Sequence, residues 1–71
     1  MTLSEVPEGG LVQLVGIDAG RGLSARLAAM GLVPGVAVLV VKNGGAGPAV
    51  VEVKGTRLAL GRGMVHKMLV R

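Results

Sequence analysis

The chain has 71 residues, 51% of them hydrophobic, with no cysteine and no Phe, Tyr or Trp, and eight Lys and Arg against four acids give it a net charge of +4. A chain this short buries only about 60% of the surface it exposes when unfolded, so it builds one thin aliphatic core, with no disulfide or thiolate metal site to support it. Without aromatic rings it lacks the stacking platforms of single-stranded nucleic-acid binders and the lining of proline-rich peptide grooves.

The cations Arg21, Arg26, Lys42, Lys54, Arg57, Arg62, Lys67 and Arg71 are scattered and form no run. Such a surface favours acidic partners by long-range attraction without choosing among them. Glu5 and Glu8 stand where a secretory signal would place basic and then apolar residues, which argues against export. The longest apolar run, Val36 to Val41, is far short of the roughly 20 residues of a bilayer-spanning helix. A single domain over residues 1–71, cytoplasmic and without cysteine chemistry, is the expectation.

In chain order, Pro7, Gly9 and Gly10 precede "LVQLVGI", Leu11 to Ile17, read as the first strand. Asp18, Ala19 and Gly20 break it. Leu23, Leu27 and Met30 then recur at intervals of four and three, the apolar stripe of a helix of two to three turns, with Ser24 or Asp18 as its cap. Gly31 suits the left-handed position that ends a helix, Pro34 cannot continue one, and Pro34-Gly35 suits the centre of a type II turn.

Val36 to Val41 is apolar on both faces, Val36, Val38 and Val40 on one and Ala37, Leu39 and Val41 on the other. Such a strand is expected to be covered on both sides, within the chain or by a partner. "NGGAGP", Asn43 to Pro48, is a loop, and "AVVEVK" is the third strand. If Lys54-Gly55 is a two-residue turn, Val53 faces Thr56, Glu52 faces Arg57 and Val51 faces Leu58, which sorts charge and apolar pairs onto opposite faces. "GRGMV" bends the chain, and "HKMLVR" closes it as a strand with Met68 and Val70 on one side and Lys67, Leu69 and Arg71 on the other. Five short strands and one helix make a mainly β fold: a small curled antiparallel barrel, with a short helix between strands one and two that stops abruptly so as to plug one end.

Motifs of chemistry fail in context. "GRGLSA", Gly20 to Ala25, fits G-x-G-x-x-A, but no acid follows about 20 residues on, where Val40, Val41 and Lys42 stand. "KGT" lacks the glycine and the residue order of a phosphate loop. His66, the single histidine, has no partner at ligand or triad spacing and reads as a polar residue opening the last strand. The methionines beyond Met1 read as core fillers. Lys67 stands too near the end for the mid-chain hairpin lysine of a biotin or lipoate carrier.

Arg26, Leu27, Met30, Gly31, Leu32, Pro34 and Gly35, followed by Gly47-Pro48, "GTRLAL" and "MLV", give a chain that from about Leu3 to Val70 resembles the ferrous iron transport protein A (FeoA) family. The resemblance implies an SH3-like barrel. It implies a cytoplasmic accessory role in ferrous iron uptake through contact with the cytosolic region of the FeoB-type membrane GTPase transporter, and transition metal ion binding at the level of the family. A related fold forms the carboxyl-terminal domain of some iron-dependent repressors, so a free-standing regulatory module is the alternative. The chain departs from the family at Gly61-Arg62, where the basic residue does not follow Ala-Leu directly, and no family role passes to Arg62.

The residues themselves present no ferrous or zinc site, since oxygen and nitrogen donors are few and dispersed. The expectation is a protein-binding module, not an enzyme, with no cofactor, no small-molecule substrate and no nucleic acid, touching the membrane only through its partner and prone to self-association. Leu39 and Leu69 are the candidate apolar contacts, rimmed by Arg21, Arg26, Lys42 and Lys67. Arg26, one residue before the apolar Leu27, either touches the partner or bonds loop carbonyls. As an arginine finger it would need a loop to present it.

Overall fold

The computed structural model describes residues 1–71. A 3-10 turn, Leu3–Glu5, leads into β1 (Leu11–Ile17), α1 (Arg21–Ala29), β2 (Ala37–Lys42), β3 (Ala49–Val53), β4 (Thr56–Leu60), α2 (Arg62–Val65) and β5 (Met68–Val70). The strands form one antiparallel sheet in the order β4-β3-β2-β1-β5. It curls around a single cluster of fifteen buried side chains, all Leu, Val, Met or Ala, with no polar residue among them. The mainly β architecture is the expected one, with α2 and the 3-10 turn in addition to the one helix read from the sequence.

The reversal between α1 and β2 follows from two backbone devices. Gly31 has φ +89°; its N–H donates to the Ala28 carbonyl and the Leu32 N–H to that of Leu27, both at 2.9 Å. This pair of bonds is the Schellman closure of a helix. The Val36 N–H then donates to the Val33 carbonyl at 3.1 Å, with Gly35 at φ +95°, as the type II turn around Pro34-Gly35 requires. Leu27, Leu32 and Val36 all reach the core from this one segment.

The closure also corrects the apolar stripe of α1. Leu27 is fully buried and Leu23 half-buried, but Met30 is 41% exposed, because the left-handed step at Gly31 hands its place in the core to Leu32. Neither Ser24 nor Asp18 caps α1: Gly20 is the N-cap, and no side chain bonds the free N–H groups there.

The β3–β4 register is the one the charge pairs demand, Val53 opposite Thr56, Glu52 opposite Arg57 and Val51 opposite Leu58. Lys54 (φ 51°) and Gly55 (φ 79°) both take positive φ, the requirement of a type I′ hairpin. Strand β2 begins at Ala37, and its two apolar faces differ: Val38 and Val40 are buried, whereas Leu39 and Val41 are half-covered and Ala37 is exposed. Of the two faces expected to be covered in that strand, the chain itself buries one only.

The carboxyl-terminal segment departs furthest from the sequence reading. Arg62–Val65 is one helical turn that buries Val65; His66 is its C-cap and Lys67 lies in the turn after it, so the strand starts only at Met68. Asn43, which the sequence places in a loop, is a clasp. Its amide donates to the carbonyls of Leu3 (3.0 Å) and Val6 (2.8 Å), and its oxygen accepts from Arg62 Nη1 at 2.9 Å. One side chain thus ties the 3-10 turn, the end of β2 and α2 together.

Two substitutions test the turn assignments by unfolding in urea. Gly31→Ala should cost about 1–2 kcal/mol, the left-handed penalty for a residue with a Cβ. Lys54→Asn should instead stabilise by about 0.5–1 kcal/mol, since Asn tolerates that conformation better than Lys.

Candidate functional site

Alternation along β1 points Leu14 into the core and Leu11, Gln13 and Val15 outward. Leu11 is 69% exposed and Val15 46%. On the same outer face Leu11 pairs with Leu39, and Leu69, 39% exposed, pairs with Gly16 across the bulge that sets Val15 out of register. Gln13 lies between these two apolar spots; its amide donates to the Gly35 carbonyl at 3.1 Å and its oxygen accepts from Arg71 Nε at 3.5 Å.

The six candidate contact residues therefore fall into two groups. Leu39 lies beside Leu11, and Lys42 ends β2 beyond it. Leu69 lies about 16 Å further along β1, at the end where that strand runs into α1. Lys67 precedes Leu69 there, and its carbonyl accepts from the Asp18 N–H at 2.7 Å. Arg21 opens α1 three residues after Asp18, and Arg26 stands in its last turn. The topology so brings Leu69, Lys67 and Arg21 toward one end of the barrel and leaves Leu39 and Lys42 toward the other; Arg26, five residues after Arg21 along α1, projects from a different side of the helix.

The four cations of the candidate set are exposed, and none is in an ion pair; the ion pair of the structure is Glu52–Arg57 at 3.5 Å. Arg26 in the last turn of α1 complements the helix dipole, but Arg21 in the first turn opposes it. Arg26 is exposed and its side chain makes no hydrogen bond to a loop carbonyl. Val15 was missed by sequence reasoning, although Gln13, two residues away in a period-two strand, marks its face as the outer one.

The fold encloses no pocket, and no group of three or more His, Cys, Asp or Glu side chains is placed to hold a metal ion. No helix is long and apolar enough to cross a membrane. What the surface offers at the α1 end is exposed aliphatic area, Val15 and Leu69, beside unpaired positive charge. Arg21→Glu should raise stability by about 0.3–1 kcal/mol through the dipole, measured as an increase in the thermal midpoint followed by far-UV circular dichroism.

Known proteins resemble the whole chain. A family model described as FeoA domain matches residues 1–71. A Methanocaldococcus jannaschii protein named as a candidate Fe(2+) transport protein A is 38% identical over 68 residues, which is 96% of this chain and 82% of that protein. A crystal structure described as an iron uptake regulatory protein (FeoA) superposes with a TM-score of 0.93 at 34% identity, covering 100% of this chain and 95% of that one. The Stenotrophomonas maltophilia FeoA, crystallised with zinc and described as a prokaryotic SH3 domain protein, gives 0.85 at 30% identity, covering 100% and 89%.

Proposed function

Because the chain belongs to the FeoA domain family, small accessory domains of ferrous iron transport with an SH3-like fold, we propose that it serves iron uptake in the cytoplasm by docking on the cytosolic region of the FeoB-type membrane GTPase transporter. The observation that carries this reading is the surface at the start of α1, where Val15 and Leu69 are exposed near Lys67 and Arg21. Apolar side chains in the centre of a contact supply most of its affinity, while a charged rim sets encounter rate and orientation. On this reading iron is the transporter's cargo, and the domain acts by contact with protein rather than by chemistry of its own.

Arg21 supports the same surface from another direction. A cation in the first turn of a helix costs stability where an acid would add it, so the helix itself does not favour Arg21 at this position. An acidic segment of the transporter fits that charge.

Binding of the transporter's purified cytosolic region to the full chain tests the proposal by calorimetry at low salt. Leu69→Glu should weaken it about tenfold or more, a loss of about 1.4 kcal/mol or more. Leu11→Lys, on the other apolar spot, should change it less than about threefold, and Arg21→Glu should weaken it and flatten its salt dependence. No binding at about 50 μM, or equal losses for Leu69→Glu and Leu11→Lys, would remove this surface from the account.

A further inference from the structure

The two edges of the sheet are treated differently. Beyond β5 the chain covers its own edge: Thr2 forms a bridge with Leu69, and the Val70 N–H donates to the Met1 carbonyl at 2.9 Å. Beyond β4 nothing pairs. The residues flanking a two-residue turn exchange both their backbone bonds, so Thr56, Leu58 and Leu60 bond to β3, and the N–H and C=O groups of Arg57 and Ala59 point away from the sheet. No turn or loop backbone group reaches them.

Bare edges are usually blunted by proline, a bulge or an unpaired charge. Thr56–Leu60 contains no proline, and its ladder with β3 runs without a register shift, unlike β1–β5 and β2–β3. Its one charge, Arg57, is paired with Glu52 on the adjacent strand.

We propose that the β4 edge is a self-association site, where a second copy adds antiparallel about a two-fold axis through Leu58. In that register Arg57 exchanges both backbone bonds with Ala59 of the other copy, and the reverse. On the outer face Arg57 then stands opposite Ala59 rather than opposite itself. On the inner face Leu58 meets Leu58 at a closely spaced, non-hydrogen-bonded position. Leu58 is half-buried against the core because the sheet stops there, and the added strand completes its cover. A register centred on Arg57 would put like charges face to face, which is disfavoured. An acidic strand from another protein is the lesser fit, since Arg57 and Arg62, the nearest arginines, are already engaged by Glu52 and Asn43.

The test is sedimentation equilibrium of the full chain from about 10 μM to 1 mM, with three variants at the exposed Ala59, whose N–H plays no part in the monomer. The wild type should dimerise reversibly, and more tightly in high salt, because both copies carry +4. Ala59→Pro removes the donor and should weaken the dimer about tenfold or more. Ala59→Glu, facing Arg57 of the other copy in competition with Glu52, should tighten it about two- to threefold; Ala59→Lys, set against the same arginine, should weaken it by at least that factor. The opposite signs for Glu and Lys separate pairing from any effect on folding. A wild type that stays monomeric at 1 mM would overturn the proposal, as would a dimer insensitive to all three variants but lost in Leu11→Lys. Amides of Arg57 and Ala59 that become protected from exchange only when an alternating Glu-Val peptide is added would give the edge to an acidic partner instead.

Discussion

The structure depends on the reversal between Leu27 and Val36. A helix on a sheet this small must deliver its apolar residue to the core and then stop, because the next strand starts only ten residues after Leu27, at Ala37. The positive φ values of Gly31 and Gly35 make the stop and the re-entry, and the three core side chains of the segment, Leu27, Leu32 and Val36, leave little of it free to move without opening the core. Since no buried group is polar, hydrogen bonds between core side chains do not specify the arrangement. Shape and backbone turns do that work.

The parts of the fold that could be read in the sequence are those set by local rules. Lys54-Gly55 fixes the β3–β4 register because a two-residue turn and period-two alternation leave one arrangement that separates charge from the core. The helix stop was readable for the same reason, as Gly31 and Pro34 act on their own neighbours. Arg62–Val65 was not readable, because a single turn containing Gly63 has weak intrinsic helix preference and exists through the burial of Val65. The role of Asn43 was hidden because its partners, Leu3 and Val6, lie some forty residues away in the chain. Met30 misled because periodicity continues a helix that the backbone has already ended.

The surface was less legible than the core. Leu39 and Leu69 both stood out as outward apolar residues, but their separation along β1 depends on strand order, which composition does not carry. The double-apolar pattern of β2 signalled more cover than one chain of this size can provide. Leu39, Val41 and Ala37 are what remains outside once Val38 and Val40 have been used.

The pairing of Met1 and Thr2 with Val70 and Leu69 puts the two ends of the chain side by side. Tension applied between them would load this pairing in the peeling direction, breaking its bonds one after another instead of shearing them together. The barrel would therefore yield first at the β5 edge under small force, while the β2–β3–β4 hairpins, remote from the points of pull, kept their register.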